Sequence, residues 1–106
     1  MKMSFSFKHM DSSKNLRAYA EEKAQRLSKY FHGNITLQWN FTQERVERIV
    51  HCHLLGREMD YFVEASTEDF IASIDLAIDK IEKQVRKHKE IVKDHLHKNA
   101  HKEPAA

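Results

Sequence analysis

The chain has 106 residues, 41% of them hydrophobic, which is enough for one modest core and too little for two domains. With 2 glycines and 1 proline it is neither linker-rich nor low in complexity, and its single cysteine, Cys52, excludes an internal disulfide. Its 18 Lys and Arg nearly balance 16 Asp and Glu, so the net charge of +2 identifies no partner by itself.

Residues 2–9 alternate, with Met3, Phe5 and Phe7 on one side and Lys2, Ser4, Ser6 and Lys8 on the other, the period of a half-buried strand. This is not the apolar block of a signal peptide, and no later segment is long and apolar enough to cross a membrane. Together with the lone cysteine, this predicts a soluble, cytoplasmic domain. Ser13 is suited to cap a helix over 14–31, whose Leu16, Ala20, Ala24, Leu27 and Phe31 recur at steps of three and four before Gly33-Asn34 ends it. A second alternation over 35–42 puts Ile35, Leu37, Trp39 and Phe41 on one face, and core placement is expected for Trp39 rather than a role as a stacking platform. Gln43-Glu44-Arg45 reads as a turn, 46–55 as a third strand, Gly56-Arg57 as a hairpin turn and 58–65 as a fourth strand. Ser66-Thr67-Glu68-Asp69 then opens a helix carrying Phe70, Ile74, Ala77, Ile78, Ile81, Val85, His88 and Val92 along one stripe, with no Gly or Pro from 67 to 103.

The order is β-α-β-β-β-α. A right-handed crossover makes the first two strands parallel, and the short turns make the others antiparallel. The expected architecture is α+β, with two helices packed on one face of a four-stranded mixed sheet.

The charge is unevenly spread. Residues 1–79 hold ten Lys/Arg and twelve Asp/Glu, a net of −2, whereas 80–106 hold eight against four, a net of +4, with four histidines besides. A helix from 67 to near 97 spans roughly 45 Å, against a radius of gyration of about 13 Å for a compact domain of this size, so its end is expected to overhang or fray. At about 100° per residue, Lys80, Lys83, Gln84 and Lys87 cluster on one flank of the buried stripe and Arg86, Lys89 and Lys93 on the other. On helix one, Tyr19, Lys23, Arg26 and Tyr30 form a similar stripe with Lys29 beside it. Basic flanks interleaved with tyrosine suit RNA, since cations neutralise phosphates and aromatic faces stack on bases. The plainer alternative is a solvated helix surface.

The stretch from Ile74-Asp75 through Lys80, Gln84, Lys87 and Lys89 to Lys93-Asp94-His95 resembles the ribosome hibernation-promoting factors, also called ribosome-associated translation inhibitors or sigma-54 modulation proteins. Leu16-Arg17-Ala18-Tyr19, Glu22-Lys23, Leu27 and Tyr30-Phe31 are similar to that family's first helix, and the likeness covers about 3 to 95. The resemblance implies a factor that binds the small ribosomal subunit between head and body and contacts ribosomal RNA through its basic helices. It would occlude the mRNA and tRNA sites, silencing translation in stationary phase or starvation. Lys80, Gln84, Lys87 and Lys89 match the motif; Lys83, Arg86 and Lys93 stand beside them, and Arg17, Lys23, Arg26 and Lys29 carry over from helix one.

Residues 1–95 are thus expected to form the ribosome-binding domain and 96–106 a short, disordered His/Lys-rich tail. The family's long members add a dimerisation domain, and another branch ends in an acid-bearing tail and opposes ribosome pairing. This chain is closer to the short class, which works with a separate small modulation factor to pair ribosomes, and a monomer is expected off the ribosome. A generic double-stranded-RNA module or a protein-interaction module built on Ile91, Val92 and Leu96 are the alternatives. Against the first, Glu68-Asp69 puts acid at the start of helix two, where such modules carry lysines.

No cofactor, metal or catalytic centre is expected. His51 and His53 share a strand face while Cys52 points oppositely, which leaves a zinc ion two ligands short, and His95 and His97 lack the helical i, i+4 spacing. Cys52 reads as a core residue and the two histidines as solvent-facing. Asp75 and Asp79 read as a solvated face or as partners of the adjacent lysines.

Overall fold

A computed structural model describes residues 1–31 and 33–105, with side chains through Lys89. The elements follow the expected order: β1 (Lys2–Lys8), α1 (Lys14–Ala24) continued by a 3₁₀ segment (Gln25–Tyr30), β2 (Thr36–Glu44), β3 (Glu47–Gly56), β4 (Met59–Thr67) and α2 (Phe70–Ala105). The sheet is ordered β1-β2-β3-β4, with β1 and β2 parallel and the other pairs antiparallel.

Register turns the alternation of each strand into rows across the sheet. Phe5, Trp39, Cys52 and Val63 form one row of the covered face, and Phe7, Phe41, Val50 and Ala65 the next. Trp39, Phe41, Val50 and Cys52 are buried, as expected for Trp39 and Cys52. The Trp39 and Phe41 rings lie nearly parallel at 6.2 Å, and Phe70 of α2 meets Phe41 edge-on at 5.8 Å, an arrangement aromatic quadrupoles favour. Ile74, Ile78, Ile81 and Val85 of α2 and Ala20, Ala24 and Leu27 of the first helical segment complete the core.

The helix ends depart from the sequence pattern. Ser13 Oγ accepts the Leu16 N–H at 3.2 Å, the expected cap. The first helix, however, leaves α geometry after Ala24 and continues as 3₁₀ turns to Tyr30, one residue short of the expected 31; Ser28 Oγ donates to the Gln25 carbonyl at 2.8 Å within the tightened turn. Helix two starts at Phe70 rather than at 67, because Ser66 and Thr67 still pair with Ile49 and Arg48 of β3. Asp69 is the cap, its Oδ1 accepting the Ile71 N–H at 3.2 Å and its carbonyl the Ser73 N–H at 3.0 Å.

Both hairpin turns sit one residue or so later than expected, at Arg45-Val46 and Arg57-Glu58. Arg45 (φ 48°) and Glu58 (φ 61°) take the left-handed turn conformation, while Gly56 sits in close approach to the segment entering β2: a Cβ there would lie 3.1 Å from Ile35 Cγ2, a tight contact.

α2 has 36 residues, roughly 54 Å of helix, in a molecule measuring 60 × 25 × 17 Å. Its last described side chains, His88 and Lys89, rest on Tyr61 and on Phe31. The side chains of the expected tail over 96–106, and that of Lys93, lie outside the described residues.

Candidate nucleic-acid interface

The buried stripe of α2 divides its polar residues into two flanks, as the helical period requires. On the β4 side, Lys80, Lys83 and Lys87 are exposed and Gln84 is half-exposed. Lys80 Nζ donates to the Glu64 carbonyl of β4 at 2.7 Å, so this side chain lies back along the sheet edge with its charge still at the surface. On the other flank Arg86 and Lys89 are exposed, and the Lys89 ammonium stands 5.6 Å from the centre of the Phe31 ring.

The helix-one stripe lies against α2. Tyr19, Arg26 and Tyr30 face the seam with α2, where the acidic residues of that helix meet them. Tyr19 Oη donates to Asp75 at 2.7 Å, and this bond, burial and the carboxylate's charge push the phenol up to about 12. Arg26 reaches Asp79 at 2.5 Å and Glu82 at 2.9 Å. Tyr30 Oη donates to Glu82 at 3.3 Å, and Lys29 Nζ lies 3.6 Å from the same carboxylate. Burial alone would raise the Glu82 carboxyl; Arg26, Lys29 and Tyr30 more than offset it and hold the group below its usual range.

Two expectations are corrected here. Asp75 and Asp79 are engaged by helix one instead of by neighbouring lysines, Asp79 while still half-exposed. The two tyrosines are turned to the seam with their hydroxyls bonded to carboxylates, so they are not open platforms for bases. Of the four helix-one cations, Arg26 is held in the seam and Lys29 borders it. Lys23 stands 5.5 Å from the Tyr19 ring centre. Arg17 is on the opposite flank of α1, 5.1 Å from the ring centre of Phe5, and is not brought together with the α2 cations.

The open face of the sheet carries His51 and His53, solvent-facing as expected. Sequence reading did not foresee their partners: His51 Nε2 lies 2.6 Å from Glu64, His53 contacts Asp60, and both rings flank Phe62, which is 58% exposed. The hairpin register pairs His51 with Glu64 directly, so a correctly placed turn would have revealed that contact. Among the described residues no group of three or more His, Cys, Asp or Glu is placed to hold a metal ion. Arg57 reads from sequence only as a turn residue, since a turn arginine has no periodicity to mark it as more; it lines a cleft with Lys89 and Phe31.

The fold, the seam and the basic flanks can be set beside known proteins. A family model described as Sigma 54 modulation protein / S30EA ribosomal protein matches residues 3–93. The chain belongs to this family. Within it, the chain is similar to the ribosome hibernation promoting factor of Azotobacter vinelandii, 33% identical over 90 residues that make up 85% of this chain and 84% of the relative. The corresponding factor of Pseudomonas putida is 30% identical over 90 residues, 85% of this chain and 88% of its own. These relatives are described as ribosome factors and not as enzymes. The N-terminal domain of Thermus thermophilus Protein Y shares the fold with a TM-score of 0.77 at 22% identity, over 83% of this chain and 99% of that domain.

Proposed function

We propose that this protein is a ribosome hibernation factor. It binds the small ribosomal subunit through ribosomal RNA, occludes the mRNA and tRNA sites and silences translation in stationary phase or stress. Acting in the cytoplasm, and a monomer when free, it pairs ribosomes together with a separate small modulation factor. The relatives' shared description supports the ribosomal role.

The observation that carries the binding mode is the segregation of charge on α2. Asp75, Asp79 and Glu82 are engaged by helix one, so the outward flank bearing Lys80, Lys83, Gln84 and Lys87 presents cations without intervening acid. Such a row neutralises phosphates by releasing their counterions, which needs surface cations at helical spacing and no deep pocket.

Sedimentation with ribosomes tests the reading. Neutralising about six phosphates gives a log–log salt slope of roughly −4 to −5. Lys80→Glu combined with Lys87→Glu should release the protein from small subunits while its thermal unfolding stays near that of the parent. Failure of the parent to pellet with ribosomes at low salt overturns the function; full silencing by the double variant overturns the site. Plain duplex RNA is expected to compete poorly with small subunits, and a sucrose gradient with the modulation factor added reads out pairing.

A further inference from the structure

We propose that the cleft where α2 leaves the sheet binds a single unstacked nucleotide of RNA, its base against Phe31 and its phosphate between Arg57 and Lys89. This deepens the RNA-binding reading above and rests on it. The cleft has a volume of about 320 Å³ and lies between the segment entering β2, the β3–β4 turn and α2. That volume is at the small end of ligand sites, the scale of one nucleotide and not of a duplex.

Its walls are of two kinds. Phe31, Ile35 and Met59 supply an aromatic ring and apolar surface. Arg57, Lys89 and Asn34 are exposed at the lining, two cations and one amide, and no carboxylate lines the cleft among the described residues. A nucleotide carries this same division, an apolar π-face beside an anionic ester. Base faces stack on aromatic side chains or guanidinium planes, and an amide can pair with a base edge. The ammonium of Lys89 already occupies the face of Phe31 at 5.6 Å. A base entering there displaces it to the mouth of the cleft, where the phosphate lies, on a side chain with the freedom to follow.

Ile35 is buried, and its Cγ2 would lie 3.1 Å from a Cβ at Gly56, so the residue before Arg57 packs closely on the segment entering β2. Lys89 also belongs to the flank that carries Arg86, so the cleft continues a basic surface. A strand of RNA following that flank delivers a nucleotide to it, whereas a base paired within a duplex cannot enter.

Two measurements on the full chain test the proposal. In the first, amide chemical shifts are followed during titration with adenosine 5′-monophosphate, with uridine 5′-monophosphate, and with adenosine and inorganic phosphate as separate arms. Both nucleotides are expected to shift Phe31, Asn34, Arg57 and Lys89, each more strongly than nucleoside or phosphate alone. Equal shifts with phosphate alone, or none at these residues at millimolar nucleotide, overturn the cleft. In the second, a fluorescent single-stranded hexaribonucleotide reports affinity. Arg57→Ala is expected to weaken binding about fivefold and to reduce the salt slope by about 0.7. Phe31→Leu is expected to weaken it about fivefold with the slope unchanged. Arg57 is exposed, so its variant remains informative if the Phe31 variant is unstable.

Both variants binding within about twofold of the parent overturn the proposal. Ribosome sedimentation separates this from the underlying reading. If the parent pellets with ribosomes and the Arg57 variant pellets equally well, the cleft is overturned and the reading stands. If the parent does not pellet, the reading fails and the nucleotide titration alone decides the cleft.

Discussion

Arg26 separates fold from binding, and Arg26→Ala is the most informative single substitution. Its guanidinium spans Asp79 at 2.5 Å and Glu82 at 2.9 Å, the former carboxylate 53% exposed and the latter 13%. The exposed half of this pair contributes a few tenths of a kcal/mol. The Glu82 half contributes more, because its loss leaves a largely covered carboxylate with Tyr30 at 3.3 Å and Lys29 at 3.6 Å. The total is about 1–2 kcal/mol. For a domain of this size that lowers Tm by roughly 5–10 °C.

The effect carries a pH signature. The Glu82 carboxyl is held below its unfolded value in the folded state, so its contribution is present at neutral pH and lost as pH falls through the folded value. Parent and variant should therefore converge as pH falls through the lowered Glu82 value. Thermal unfolding by circular dichroism at neutral and acidic pH reads this directly, and ribosome sedimentation in the cold, where both are folded, reads binding. Equal melting at neutral pH refutes the seam's energetic role. A variant as stable as the parent that binds ribosomes as weakly as the Lys80→Glu, Lys87→Glu double variant shows that Arg26 acts on RNA instead.

Three further outcomes follow from buried or paired groups. Spectrophotometric titration should show one phenol ionising near pH 12 and lost in Tyr19→Phe; since the folded value is raised, stability from this bond is complete below about pH 10 and falls as pH rises toward 12. Cys52 is fully buried, with its thiol pushed up to about 12 by burial; it should react with an aromatic disulfide reagent only as fast as the domain opens, and rapid labelling of the native protein would contradict its place in the core. Ile81→Ala, at a fully buried position on α2, should cost about 2–5 kcal/mol in urea unfolding with little change in slope, and a loss below 1 would mean that the core closes over the gap.

The strands were legible because each keeps strict alternation, and Phe5, Trp39 and Cys52 fell on the covered face as the period demands. Helix one was legible in its extent, from the Ser13 cap to within a residue of its end, and not in its change to 3₁₀ geometry after Ala24, which leaves the apolar spacing unmarked. Helix two starts three residues later than its pattern predicts because Ser66 and Thr67 are good caps locally and better strand partners for β3. The basic flanks of α2 could be found from spacing alone. The seam could not, since a helical wheel shows which residues share a flank and is silent on which helix lies against it. The contacts of Tyr19, Arg26 and Asp79 therefore show only once the two helices are set side by side. Arg57 needed still more, because it joins Phe31 and Lys89 only through three separate segments.

The strand order has a kinetic consequence. β2, β3 and β4 are successive hairpins whose two-residue turns bring partners together within microseconds once the chain collapses. β1 is different: Ser6 and Asn40, neighbours in the parallel pair, are 34 residues apart, so β1 docks only after the loop that contains helix one has closed. The meander and α2 are therefore expected to form the folding nucleus, with β1 the last strand to arrive and, in hydrogen exchange, the first to open.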